Sequence, residues 1–138
     1  MAINTQLSRS SVEAQAQALA NLFSDGYLRI YAGEQPVDGD TASSGATLLA
    51  ELRFAPIAFQ SVTNGVMVAN TIAPVVASDN GSASWFRALE SDGTTSILDG
   101  SIGTSDANLV LGTTTISQGL IVNVSSFIHS IAKSYTGV

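Results

Sequence analysis

The hydrophobic period of this chain changes at Tyr27, and that change limits the fold more than any other feature. Before it, Val12, Ala16, Leu19 and Phe23 recur at steps of four, three and four, one stripe of an amphipathic helix. After it the period is two. Leu28 and Ile30 alternate with Tyr27, Arg29 and Tyr31, while Leu48, Ala50, Leu52 and Phe54 alternate with Thr47, Leu49, Glu51 and Arg53. Successive side chains of a strand point to opposite faces, so these runs predict half-buried strands. Val66, Val68 and Ile72 continue the pattern.

The helix has its own punctuation. Ser10 and Glu13 form a capping-box pair, each able to satisfy a free backbone N–H at a helix start, and Gly26 stands where a left-handed cap is wanted. A helix from Ser10 to about Ser24 is the expectation. Its apolar stripe has two readings: packing on its own domain, or docking on a neighbouring subunit through Val12, Leu19 and Phe23.

Turn chemistry divides the rest. Ser91-Asp92-Gly93-Thr94 predicts a type I′ hairpin turn between strands 84–90 and 95–102, setting Ala88 opposite Ile97 and Leu89 opposite Ser96. Leu109 and Leu111 belong to a short strand. Leu120 to Ile131 reads as a long last one, whose inward parity switches between Val124 and Phe127 and calls for a bulge near Ser125-Ser126. Gly33 to Gly45 is a long polar connection, and Ala77 to Ser82 and Gly103 to Ala107 are shorter loops. Six or seven short strands without a second helix predict a mainly β fold, an antiparallel β-sandwich or jelly-roll-like barrel with one N-terminal helix. Residues 1–26 are expected as an arm and 27–138 as the β-sandwich domain.

Residue inventory narrows the chemistry. Eleven acids against five bases give a net charge of −6, a poor match to phosphate backbones or anionic lipid, so neither nucleic acid nor membrane is expected as partner. Cysteine is absent, and no apolar run approaches a membrane span of about 20 residues. Met1 to Arg9 lacks a basic stretch followed by an apolar core, which reads as a protein kept in its producer's cytosol until assembly or release. The lone His129 sits in an apolar strand with Ser125 and Ser126 nearby, and no activating motif surrounds them. Glu90, Asp92, Asp99 and Asp106, with Asp38 and Asp40 in the long loop, read as turn acids, with calcium ligation as the alternative. No catalytic, cofactor or metal residue is assigned, and an enzyme is not expected. Three arginines, Arg29, Arg53 and Arg87, lie among apolar strand residues. They read as cross-strand partners of acids such as Glu51 or Glu90, or as interface anchors. Trp85, Tyr27 and Tyr31 are the aromatics a glycan-binding module would use. Charged residues make up only 12% of the chain, about half the usual share, which implies that part of the surface is covered by something else.

The runs LRIYAGEQP (Leu28 to Pro36) and TLLAELRF (Thr47 to Phe54), the Asn64-Gly65 step, ASWFRALESDGTTSILDGSIGTSDANLVL (Ala83 to Leu111) and GLIVNVSSF (Gly119 to Phe127) carry a resemblance. Together they resemble a family of small tailed-phage and prophage virion proteins, from Leu28 to Phe127; the segment Ser10 to Asp25 and the end near Lys133 lie outside the match. The resemblance implies a structural component of the virion, assembled in the host cytoplasm and without an active site. A head decoration or cement protein on the capsid exterior is the leading expectation, and a tail or neck component the next. The implied partners are the major capsid protein or other virion subunits, with a homo-oligomer expected.

Overall fold

The computed structural model describes residues 4–132 and 134–136; Lys133 and the first three residues of the expected arm lie outside them. A short strand β1 (Asn4–Gln6) precedes helix α1 (Arg9–Leu22). There follow β2 (Tyr27–Ala32), β3 (Thr47–Arg53), β4 (Phe59–Thr63), β5 (Val66–Ala69), β6 (Val75–Val76), β7 (Gly81–Ser82) and β8 (Trp85–Leu89). The chain continues through β9 (Ser96–Gly103), β10 (Leu109–Leu111), β11 (Thr115–Ile116), β12 (Ile121–Val122), β13 (Val124–Ser130) and β14 (Ser134–Thr136).

Eight of these strands form one sheet in the order β3-β2-β8-β9-β10-β13-β5-β4, and β1–β14, β11–β7 and β12–β6 pair as separate ribbons. The sheet has to curl. Its two edge strands, β3 and β4, are joined by residues 54–58 alone. In a flat sheet they would stand about 34 Å apart, at about 4.8 Å per strand spacing. The steps from Arg53 to Phe59 reach about 20 Å at full extension. Curling brings the inner faces of both ends together in the sandwich-like arrangement expected from the sequence. Among the described residues every pairing but one is antiparallel: β9 and β10 run parallel, matched as Leu109 with Ile102 and Val110 with Gly103. This seam divides the sheet into two halves of four strands.

Phe23, just past α1, fills the curl. Its ring lies 5.1 Å from Phe54, 5.0 Å from Phe59 and 6.1 Å from Phe127, the first two edge-on. Phe86 meets Phe127 edge-on at 5.3 Å. Edge-to-face rings gain about 0.5–1.5 kcal/mol beyond their burial. The helix thus packs on its own sheet: Val12, Ala16 and Phe23 are fully buried, and Ala20 nearly so.

Several local expectations need correction. The N-cap is Ser8, whose hydroxyl accepts from the Ser11 N–H, and not Ser10. Glu13 does not close a capping box; it pairs with Arg9 one turn before it, at 2.8 Å. At the other end the left-handed residue is Asp25 (φ 54°), not Gly26. Gly26 is required for space, since a Cβ there would run into the carbonyl oxygens of Leu89 and Phe23. Leu48, which the alternation groups with Ala50, Leu52 and Phe54, is 37% exposed, and Leu49 is buried instead. The β2–β3 register shifts between Ile30 and Tyr31, leaving Leu49 unmatched, and this bulge puts Leu48, which precedes it, on the other face from Ala50 and Leu52. The last strand is interrupted at Asn123 into β12 and β13. The bulge expected near Ser125-Ser126 is present: Val110 faces Ser126 and Leu111 faces Val124, leaving Ser125 unmatched.

The type I′ turn also sits elsewhere. At the β8–β9 turn only Gly93 has a positive φ (72°), and Asp92 does not. Asp92 instead accepts from the Thr94 and Thr95 N–H groups and the Thr95 hydroxyl, which fixes a four-residue loop. Leu89 does face Ser96, but Ala88 faces Leu98 rather than Ile97 because a register shift intervenes. The two-residue turn with two positive φ angles is Asn64-Gly65 (54° and 79°), between β4 and β5. Asparagine tolerates the left-handed region, whereas the Asp92 carboxylate is drawn into capping its own loop.

Candidate functional site

The half-sheet β3-β2-β8-β9 turns Leu28, Ile30, Phe86 and Ala88 to the core and a charged row outward. Cross-strand register aligns Glu51, Arg29, Arg87 and Asp99 side by side. Two arginines directly opposite each other repel. Here each has an acid on its far flank. Arg29 Nε donates to Glu51 at 2.7 Å, the partner expected from the sequence. Arg87 takes Asp99 rather than Glu90, with Nε to Oδ1 at 2.7 Å and Nη2 to Oδ2 at 2.9 Å. Glu90 lies past the end of β8, whereas Asp99 is directly across the ladder. The Asp99 hydrogen bonds hold the Arg87 pKa above its ordinary value against burial. Burial works against the Arg29 charge, and Glu51 outweighs it.

Each of the three arginines also ties a loop to the sheet. Arg29 Nη2 donates to the Gly93 carbonyl at 3.1 Å, which anchors the β8–β9 turn. Arg87 Nη2 donates to Thr41 O at 2.6 Å and, more weakly, to Asp38 O, which draws the long 33–46 connection across the outer face. Arg53 Nη2 donates to Asp25 O at 2.8 Å, and its guanidinium lies 4.1 Å from the centre of the Tyr27 ring. Ser96 Oγ donates to Gly39 O on the same loop. The Asp38 carboxylate accepts from the Thr41 hydroxyl and the Asp40 N–H, which lowers its pKa. This strap explains why every residue of β8 is buried, on both faces of the sheet.

Between the strap and the 91–94 turn a cleft of ≈ 450 Å³ remains, with Arg29, Tyr31, Arg87 and Leu89 among its walls. It offers little to a ligand. The Nε and Nη2 donors of both arginines are engaged within the chain. Tyr31 is stacked on Trp85 at 4.5 Å, and the two are 6% and 1% exposed, so neither presents an open ring face to a sugar. Tyr27 is covered by Arg53.

The half-sheet β10-β13-β5-β4 is built differently. No Asp, Glu, Lys or Arg occurs between Arg53 and Asp79, or between Asp106 and Lys133. These two stretches supply all four of its strands, and the β12–β6 ribbon as well. Its outward rows are Ser61–Val68–Ile128 and Thr63–Val66–Ser130. Ile57, Val66, Val76, Leu120, Ile121 and Ile128 are exposed on these stretches, against Leu22, Val37 and Leu48 elsewhere among the described residues. Val76 and Ile121 face each other across their ribbon. The signal was present in the sequence as two long gaps in charge, a pattern that a search for motifs passes over.

The remaining candidates have plain positions. Val12 and Phe23 are wholly buried in the chain's own core, so they have no surface for a partner, while Leu19 is half-buried. Arg87 is 7% exposed; Arg29 and Arg53 keep open edges. His129 is half-buried beside Met67 in the register, and burial lowers its pKa. Among the described residues no three His, Asp or Glu side chains gather as metal ligands, and no helix is long and apolar enough to cross a membrane. Searched against protein-family models, curated proteins and solved structures, the chain matches none.

Proposed function

We propose that the chain is a structural subunit of a tailed-phage virion, a decoration protein that stabilises the head by subunit contacts and carries out no chemistry. The observation that supports this most is the charge-free composition of 54–78 and 107–132, which leaves Val66 and Ile128 in the open on the sheet face, Val76 and Ile121 on the ribbon, and Ile57 on the link between the edge strands. Soluble monomers seldom leave so long a stretch of surface without charge, and contiguous uncharged apolar surface marks sites of protein contact. The resemblance carried by Leu28 to Phe127 supplies the virion context. A tail or neck component remains the second reading, since the same surface would serve in either place.

Particles assembled without this protein provide the test. Purified protein is added to isolated heads and, separately, to isolated tails, and each is sedimented. Co-sedimentation with heads, together with greater resistance of those heads to heat, is the expected result. Binding to tails alone moves the protein to the tail or neck, and binding to neither rejects a virion role. Ile128→Lys, which places a charge on the uncharged face, is expected to reduce binding at least tenfold.

A further inference from the structure

We propose that two copies of this chain join through the free edge of β4, pairing antiparallel about a two-fold axis. The inference goes beyond the virion role and does not require it. It starts from the two ends of the eight-stranded sheet. At one end the edge of β3 is obstructed: Ser78 N–H donates to the Leu49 carbonyl at 2.8 Å, and the Leu49 bulge breaks the line of the strand. At the other end β4 pairs with β5 only, and no described strand lies on its far side. Helix α1 packs against this end, where Phe23 meets Phe59 and Val12 lies over Gly65.

Exposed edges are normally protected by a charge, a proline or a bulge. The strand Phe59–Thr63 has neither charge nor proline. Its one irregularity falls between Phe59 and Ser61, which leaves Ser61 to Thr63 in regular register. Ser61 and Thr63 are exposed, and Val66 and Ile128 extend the uncharged surface behind them.

Charge selects the occupant. Each copy carries −6, and every charged residue lies outside 54–78 and 107–132. Two copies therefore repel in most orientations. They meet without like charges in contact only when the charge-free halves face each other, and charges farther apart than about 10 Å are screened at ordinary ionic strength. A basic partner is drawn to the acidic half instead. A strand edge is also its own complement about a two-fold axis, because that symmetry places identical strands antiparallel.

The experiment uses the full chain. Light scattering during gel filtration, from micromolar to millimolar protein, is expected to show a dimer, with amide exchange at Ser61 to Thr63 slowing as concentration rises. Ser61→Lys places like charges beside each other at the two-fold axis and is expected to give a monomer with fast exchange there. Ser44→Lys, the same charge change on the exposed strap of the other half, is expected to leave the dimer intact. A wild-type monomer at every concentration overturns the proposal. So does a dimer that keeps fast exchange at 61–63, or one that Ser44→Lys dissociates and Ser61→Lys does not. A monomer that still binds particles overturns the dimer alone, whereas a dimer that binds none overturns the virion role alone.

Discussion

The two halves of the sheet bury the same kind of inner face and treat the outer one in opposite ways. In β3-β2-β8-β9 the outer face carries Glu51, Arg29, Arg87 and Asp99, and the chain's own 33–46 connection closes over it. In β10-β13-β5-β4 the outer face carries Ser, Thr, Val and Ile, and no described segment covers it. Where a face is covered from within, hydrogen-bonding side chains are needed to satisfy the loop that covers it. Arg87 donates to the Thr41 and Asp38 carbonyls of the strap and so holds it against the sheet. Where a face is left open and uncharged, no such groups are needed, and none have to lose water when another protein meets it. The charged half is therefore internally committed, and the uncharged half is available.

The largest test of that difference is Asp99→Ala. The Arg87 and Asp99 side chains are 9% and 3% exposed. Removing one partner of a buried pair leaves the other charge uncompensated, at a cost of about 3–5 kcal/mol. Chemical denaturation is expected to show that loss, with faster amide exchange across residues 38–43 as the strap loosens. Ser126→Ala on the open half is expected to stay within about 0.5 kcal/mol of wild type. Equal effects at the two sites would mean that the strap is not held by the arginine.

Next in size is a contrast between the two turns. Gly65 has φ 79°, and a Cβ there would overlap Val12 Cγ1 and lie 2.9 Å from the Ile131 carbonyl oxygen. Gly93 has φ 72°, but its Cβ would meet nothing closer than the Tyr27 ring at 3.4 Å. The positive φ alone costs a non-glycine residue about 1–2 kcal/mol. Gly93→Ala is expected to lose about that much, and Gly65→Ala clearly more, because the backbone at Ile131 has to move. Thermal unfolding of the two variants side by side checks the order, and a Gly93→Ala loss as large as that of Gly65→Ala would contradict it.

The same turns show what could be read in the sequence. Alternation from Tyr27 onward was legible because sheet faces are set by neighbours in sequence. The need for a bulge at Ser125 was legible too, since Val124 and Phe127 cannot both face inward on an unbroken strand. Arg29 with Glu51 was legible as a cross-strand pair of opposite charges. Arg87 with Asp99 was harder, because its partner depends on a register shift between Ala88 and Leu89. The strap was not legible at all. Nothing local in Gly33 to Gly45 says that its carbonyls will meet an arginine 46 residues later. The charge-free half was written in plain composition, but only the topology brings 54–78 and 107–132 into adjacent strands.

A smaller effect, confined to acid, separates the turns again. The Asp92 carboxylate accepts first from the Thr95 hydroxyl and then from the Thr95 and Thr94 N–H groups, which hold its pKa well below the usual range. A carboxylate with a depressed folded pKa stabilises fully above its unfolded pKa, about 4, and loses that contribution as pH falls toward the folded value. Melting temperatures of wild type and Asp92→Asn are therefore expected to differ most near neutral pH and to converge as pH falls below about 4. The Asn64-Gly65 turn holds no titrating side chain, and Asn64→Ser is expected to shift the melting temperature by the same amount at every pH. A pH-independent gap for Asp92→Asn would assign the turn's stability to geometry alone.

The smallest effect belongs to the other acid of the charged row. Glu51 pairs with Arg29 at 2.7 Å, as Asp99 pairs with Arg87, yet the side chains of Arg29 and Glu51 are 28% and 39% exposed. Water and salt compete for both partners, so an ion pair of this kind contributes about 0.2–1 kcal/mol. Glu51→Gln keeps the shape and removes the charge, and it is expected to cost within that range at low ionic strength and less at 1 M salt, where the screening length falls to about 3 Å. Asp99→Ala is expected to keep most of its cost at high salt, since the strap excludes the solvent that does the screening. Denaturation of both variants at low and high salt separates the two. If Glu51→Gln proves as costly and as insensitive to salt as Asp99→Ala, the row acts as one buried unit, and the strap is not what distinguishes its two ends.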